Sequence, residues 1–200
     1  DKIDVFRKLH QSTFLLPNVW DAASAVLCKE AGFSAIGTSS AGVAFSLGYR
    51  DGQRIPAAEM IRQIRHIVRV VDAPVSADID ACYDDPVITA RAIWDAGAVG
   101  INLEDVTGDT ESTQVPLEWQ TATLARIRAE VPELFINART DIFLMGIGVV
   151  ETRLERTIER LRAFHRAGAD CLFVPGVKDP ALIRSILSAV DGPVNILATA

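Results

Sequence analysis

Three stretches of this 200-residue chain end a helical pattern in the same way: Glu30-Ala-Gly-Phe-Ser-Ala35, Asp95-Ala-Gly-Ala-Val-Gly100 and Arg166-Ala-Gly-Ala-Asp-Cys171. In each, a glycine takes the left-handed position that stops a helix, and an apolar, strand-like run starts directly. Asp72-Ala-Pro-Val75 and Asp191-Gly-Pro-Val194 use proline as the stop instead. Strand-like runs at 14–19, 34–40, 74–80, 100–105, 134–141, 171–176 and 193–198 alternate with amphipathic helical stretches. Repeated βα units specify a parallel sheet, either closed into a barrel or open and doubly wound. An open dinucleotide-binding sheet would carry a glycine-rich turn after its first strand, yet Asn18-Val-Trp-Asp-Ala-Ala-Ser24 has no glycine. The expected fold is therefore α/β, a (β/α)8 TIM-type barrel in a single domain over residues 1–200. With seven strand patterns visible, the expectation is a barrel truncated after its seventh strand, the C-terminal strand and helices missing or not included.

The strand ends are polar. Pro74-Val-Ser-Ala-Asp-Ile-Asp80 places Asp78 and Asp80 two residues apart, so the strand period turns both acids to one face, where each needs a cation or a proton. Asn102 and Glu104 repeat the spacing in the next strand, and Asn137, Arg139 and Asp141 repeat it again. In a barrel the strand C-termini share one mouth, which would gather these groups. The connections 41–55 and 106–116 are long, and each is expected to form an extended loop at that mouth, the second polar enough to be mobile.

Composition narrows the function classes. At 49% hydrophobic the chain can bury a large core, while a formal charge of −6 argues against nucleic acid as a partner. Arg62, Arg65, His66 and Arg69 read as the solvated face of a helix whose apolar stripe is Ile61, Ile64, Val68 and Val71. Cys28, Cys82 and Cys171 are odd in number and widely spaced, which fits neither a disulfide framework nor a zinc knuckle and suits the reducing cytoplasm. No apolar run approaches the ~20 residues that span a bilayer, and no membrane partner is expected.

The motifs together resemble the isocitrate lyase and phosphoenolpyruvate mutase superfamily. The resemblance runs over nearly the whole chain, through Asn18-Val-Trp-Asp-Ala22, Thr38-Ser-Ser-Ala-Gly42, Ser46-Leu-Gly-Tyr-Arg-Asp-Gly52, Ala77-Asp-Ile-Asp80, Asn102-Leu-Glu-Asp105, Asn137-Ala-Arg-Thr-Asp141 and Pro193-Val-Asn195. It implies a Mg2+- or Mn2+-dependent enzyme that makes or breaks a C–C or P–C bond in a small α-keto or α-hydroxy acid. It further implies a homo-oligomer, a dimer or tetramer that swaps its last helix. Carried over by position, Asp78 resembles the direct metal ligand, and Asp51, Asp80 and Glu104 resemble carboxylates that hold the ion's water shell. Ser39, Ser40 and Ala41 correspond to the segment that binds the substrate carboxylate, beside Asp78 and Asn102. Arg139 corresponds to the cation at the reacting oxygen, with Glu104 and Asp51 in the catalytic set.

The chain departs from the family's pattern in the loop after strand four. Isocitrate and methylisocitrate lyases carry a Lys-Lys/Arg-Cys-Gly motif there, whereas this loop reads Gly108-Asp-Thr-Glu-Ser-Thr-Gln114, with Ser112 about where the cysteine would be. Asn102 stands where methylisocitrate lyases have His, and Gly37 where they have Tyr. The expectation is a Mg2+-dependent lyase acting on a C–C bond through an enolate. The alternatives are a mutase or hydrolase of the P–C bond of phosphonopyruvate, and a non-catalytic α-keto acid-binding protein. Ala44-Phe-Ser-Leu-Gly48 approaches a nucleophile elbow but lacks the strand directly before its serine. Asp21 and Asp105 each read as a cap or ion-pair residue rather than a ligand, Cys82 as a packing residue, and Trp20 as either a pocket wall or packing.

Overall fold

The computed structural model describes residues 1–83, 85–107 and 113–198. Seven parallel strands run side by side in chain order: β1 (Asn18–Val19), β2 (Ile36–Thr38), β3 (Val75–Asp78), β4 (Gly100–Glu104), β7 (Phe135–Arg139), β8 (Cys171–Phe173) and β9 (Val194–Asn195). The sheet curls into part of a TIM-type barrel. It differs from a closed ring in that β1 and β9 are its two edges, with no pairing between them among the described residues. Helices α1 (Lys2–Leu9), α2 (Ala22–Glu30), α3 (Ser40–Ser46), α4 (Ala57–Val70), α5 (Pro86–Asp95), α6 (Leu117–Glu130), α7 (Val150–Arg166) and α8 (Pro180–Ala189) complete the chain.

Each boundary has a local cause. Asp21 and Ser24 form a reciprocal capping box on α2, and Asp85 and Asp179 cap α5 and α8 ahead of a proline at the first helical position. Gly32, Gly97 and Gly168 sit at φ +92, +94 and +106, the left-handed stops read from the sequence. α4 buries Met60, Ile64 and Ile67 and leaves Arg62, Arg65 and Arg69 in solvent. The strands are shorter than their apolar runs. Phe14 and Leu16 pack into the floor without joining the sheet, and β2 stops where Ser39 begins α3.

Both long connections carry structure that hydropathy did not reveal. The segment 41–55 opens inside α3, whose N-cap is the Ser39 hydroxyl accepting the Gly42 N–H. The segment 106–116 contains an antiparallel hairpin of β5 (Val106–Thr107) and β6 (Thr113–Gln114). Ser112 and the rest of 108–112 lie outside the described residues.

Register decides what faces where. Outward positions Ile36, Val75, Ala77, Ile101, Leu103, Ile136, Ala138 and Leu172 are fully buried beneath the helices. The inward positions align in rows across the sheet: Asn18, Gly37, Ser76, Gly100 and Phe135; then Asp78, Asn102, Asn137 and Cys171; then Glu104, Arg139, Phe173 and Asn195. Below the first row, Phe6 of α1 fills the floor edge-on to Phe135 and Phe14, at centroid distances of 4.9 and 6.5 Å. A Cβ on Gly100 would come within 3.3 Å of Phe6 and 3.2 Å of the Phe135 carbonyl, so a small residue lets the plug enter.

Truncating this plug leaves a cavity that the sheet cannot collapse into. Phe6→Ala should lower unfolding stability by about 3–5 kcal/mol, measured as a shift of the urea midpoint at constant m-value.

Candidate active site

The inward rows line a cavity of about 990 Å³ that runs from the aromatic floor of Phe6, His10, Phe14 and Phe135 to a polar rim. Ser39, Ser40, Ala41, Asp51, Asp78, Asp80, Asn102, Glu104 and Arg139, the residues singled out from the sequence, all line it. Trp20 does not; its Cβ packs 3.0 Å from the position a Cβ would take on Gly42.

Asp78 is held from three sides. Its Oδ2 accepts the Ser40 hydroxyl at 2.8 Å and the Ser40 N–H at 3.1 Å, and its Oδ1 accepts Asn102 Nδ2 at 2.9 Å. Asn102 Oδ1 in turn accepts Asn137 Nδ2 at 3.1 Å. An ionised carboxylate only accepts, so Asp78 sets the direction of both amides. Asn137 Oδ1 is left buried with no hydrogen-bond partner among the described residues. Ser40, expected within the segment that binds the substrate carboxylate, gives both its hydroxyl and its N–H to Asp78 here. Within that segment the Ser39 hydroxyl hydrogen and the Ala41 N–H are the groups that stay on offer.

Asp80 lies beyond the end of β3, not on its face. The chain turns sharply there: Asp80, Cys82 and Tyr83 adopt φ values of 50°, 77° and 59°. Non-glycine residues in that region cost on the order of 1–3 kcal/mol each. The turn is secured by the Cys82 N–H on Ile79 O at 2.9 Å, Cys82 Sγ on Pro86 O at 3.3 Å and the Glu104 N–H on Asp80 O at 3.0 Å. Cys82 is thus a buried packing residue, its thiol pKa pushed up by burial. Burial, then the charge of Asp78, raises the Asp80 carboxyl from 3.8 to about 7, with Asp51 adding to the repulsion and Ser40 and Arg139 opposing it.

Arg139 is clamped along one edge. Its Nε and Nη2 donate to the two oxygens of Asp141 at 2.6 and 3.0 Å, and Nη2 lies 2.9 Å from Glu104 Oε2. Its guanidinium stands 5.6 Å from the Phe173 ring centroid. Burial works against the charge of Arg139, but Glu104 and Asp141 overcome it, so its pKa lies above the ordinary arginine value. Burial also lifts Glu104 well above the usual carboxylate range, against the pull of Arg139. Behind the pair, Asp105 is fully buried; its Oδ1 accepts the Asp141 N–H at 3.0 Å, and its Oδ2 lies 2.6 Å from Arg160 Nε on α7. Of the two roles the sequence left open for Asp105, cap or ion pair, the structure shows the ion pair, and Asp141 and Arg160 are supports that sequence reading did not assign. The Arg139–Asp141 spacing was visible in the sequence, whereas nothing in the Arg-rich α7 distinguishes Arg160 from its neighbours.

Among the described residues five carboxylates, Asp51, Asp78, Asp80, Glu104 and Asp141, line the cavity against the single guanidinium of Arg139. Such a set needs a further cation, or protons on some of its members, to offset its charge. Among the described residues no three His, Cys, Asp or Glu side chains converge closely enough to ligate one ion directly. Magnesium keeps several waters and needs only one or two carboxylates as direct ligands. Asp78 Oδ1 accepts one hydrogen bond and has a lone pair left for an ion.

Comparison with known proteins places this chain in a lineage. A Burkholderia cenocepacia structure assigned to the phosphonomutases superposes with a TM-score of 0.94 at 38% identity, covering 100% of this chain and 85% of that one. An uncharacterised protein of Mycobacterium tuberculosis is 33% identical over 195 residues, 96% of this chain and 73% of its own length. The 2-methylisocitrate lyase of Bacillus subtilis is 31% identical over 204 residues, 96% of this chain and 65% of the lyase. The phosphoenolpyruvate phosphomutase family model matches residues 6–200, and the chain belongs to that family, within the superfamily of isocitrate lyases and phosphoenolpyruvate mutases.

Proposed function

We propose that this protein is a lyase dependent on a divalent cation, cleaving a C–C bond of a small α-keto or α-hydroxy acid. The excess of rim carboxylates over Arg139 carries this reading, because a cation that binds there can also bind the oxygens of such an acid. Asp78 would hold Mg2+ or Mn2+ directly, and Asp51, Asp80 and Glu104 through its waters. A cation so placed supplies Lewis-acid polarisation of the substrate's α-oxygen.

The chain's own groups do the rest. The Ser39 hydroxyl and Ala41 N–H receive the substrate carboxylate at the start of α3. Arg139, its Nε edge occupied by Asp141, turns Nη1 toward the oxygen that gains charge as the C–C bond breaks and its electron pair forms the enolate. A guanidinium held in advance stabilises that charge without reorganising. Arg139 is also the only lysine or arginine among the described cavity residues, and it is already shared by two carboxylates. A substrate with a third carboxylate would find no free cation on these walls, which favours mono- and dicarboxylic acids. The likeness to the phosphonomutase structure supports a second reading, P–C chemistry on phosphonopyruvate.

Steady-state assays with Mg2+ over a panel of oxaloacetate, substituted malates and phosphonopyruvate separate the two readings: C–C cleavage forms pyruvate or glyoxylate from the phosphorus-free acids, whereas P–C chemistry consumes phosphonopyruvate, releasing phosphate or forming phosphoenolpyruvate. Binding of the acids without turnover on any of them would indicate a carrier and overturn both. Asp78→Asn should abolish calorimetrically detectable Mg2+ binding while leaving the far-UV spectrum unchanged. Arg139→Lys should lower kcat on the active substrate by on the order of 10²–10³, since an ammonium cannot grip Asp141 along two bonds.

The raised Asp80 carboxyl sets a pH dependence. The folded protein holds that proton more tightly than the unfolded chain between pH about 4 and 7, so metal-free stability from this group falls as pH rises through that window. A bound cation removes the penalty. The gain in Tm on adding Mg2+ should therefore grow from pH 5 to pH 8 in thermal melts, and a gain that shrinks over that range would contradict the assignment.

A further inference from the structure

Three of the carboxylates proposed around the ion come from two separate excursions of the chain. Asp78 and Asp80 ride on β3 and the turn that follows it, whereas Asp51 sits in an exposed loop beyond α3, with its own Oδ1 accepting the Gly52 N–H at 2.9 Å. A loop of that kind has no register to align it with the sheet. Gln53 supplies one. Its Oε1 accepts the Tyr83 N–H at 2.8 Å, joining the Asp51 loop to the Asp80 turn across thirty positions of sequence.

Both ends of this hydrogen bond are held in uncommon conformations. Gln53 has φ 61° and Tyr83 φ 59°, left-handed values that residues with side chains rarely adopt. The left-handed turn takes the Tyr83 N–H out of any strand ladder, so a side-chain acceptor is what satisfies it. Gln53 also lines the cavity, two residues from Asp51. A glutamine amide contributes no charge to the rim, so its effect there comes through placement.

We propose that Gln53 is a positioning residue for cation binding: by accepting the Tyr83 N–H, its side chain sets the spacing at which Asp51 and Asp80 share one hydrated divalent ion. This rests on the metal reading above. The test is Mn2+ affinity of the full-length protein, measured by electron paramagnetic resonance for the wild type, Gln53→Met and Gln53→Glu, together with hydrogen exchange at the Tyr83 amide without metal. Methionine keeps the length and loses the acceptor; glutamate keeps both. Gln53→Met should weaken Mn2+ binding about five- to tenfold, the loss of one net hydrogen bond, and should speed exchange at Tyr83. Gln53→Glu should bind at least as tightly as the wild type, with the amide still protected. Wild-type affinity in Gln53→Met, or equal weakening in both variants, overturns the proposal while leaving the metal site intact. A wild type that binds no Mn2+ overturns the metal reading and this one with it.

Discussion

Among the described residues, a single guanidinium opposing five carboxylates is the interaction around which this mouth is organised. Arg139 cannot satisfy all of them, and the fold commits it to two, Asp141 along its Nε edge and Glu104 at Nη2. The commitment is enforced from behind. Asp105, paired with Arg160, fixes the backbone of Asp141, so a helix on the outside of the sheet helps determine the orientation of a cation on the inside. Asp78, Asp80 and Asp51 line the same cavity outside that pairing.

This arrangement follows from parallel register. Because β3, β4 and β7 pair without offset, Asp78, Asn102 and Asn137 lie in one row and can pass a hydrogen-bond direction from one to the next. A slip of one residue would turn those side chains into the apolar shell and bring Ala77, Ile101 and Ile136 to the cavity. The floor serves the same end from below, where the Phe6 plug fills the barrel under the polar rows.

Much of this could be read from the chain before any coordinates. Glycine stops, proline stops and apolar runs marked every strand of the sheet, and the i, i+2 spacing at 78, 102, 137 and 139 anticipated which residues face inward. What escaped the reading has physical causes. α3 begins on an N-cap whose apolar content matches a loop as well as a helix, and the β5–β6 hairpin consists of two-residue strands too short to show a period. The engagement of Ser40 by Asp78 depends on a contact between residues 38 positions apart. Asp80 looked like a strand residue because its spacing was right; only the φ of 50° moved it into the turn. Gln53 acts through one long-range bond and Arg160 through two, to Asp105 and to the Val115 carbonyl, and none of these leaves a local pattern.

The strict division between outward and inward positions also bears on how such a scaffold can change over generations. Leu103 and Ala138 pack against helices and never meet the cavity, whereas Asn102, Glu104, Asn137 and Arg139, one step away in sequence, meet only the cavity and each other. A substitution at the rim therefore alters charge and shape in the site without opening a gap in the shell. Chemistry can drift while architecture is conserved, and catalytic repertoire becomes a property of a handful of alternate codons instead of the whole domain.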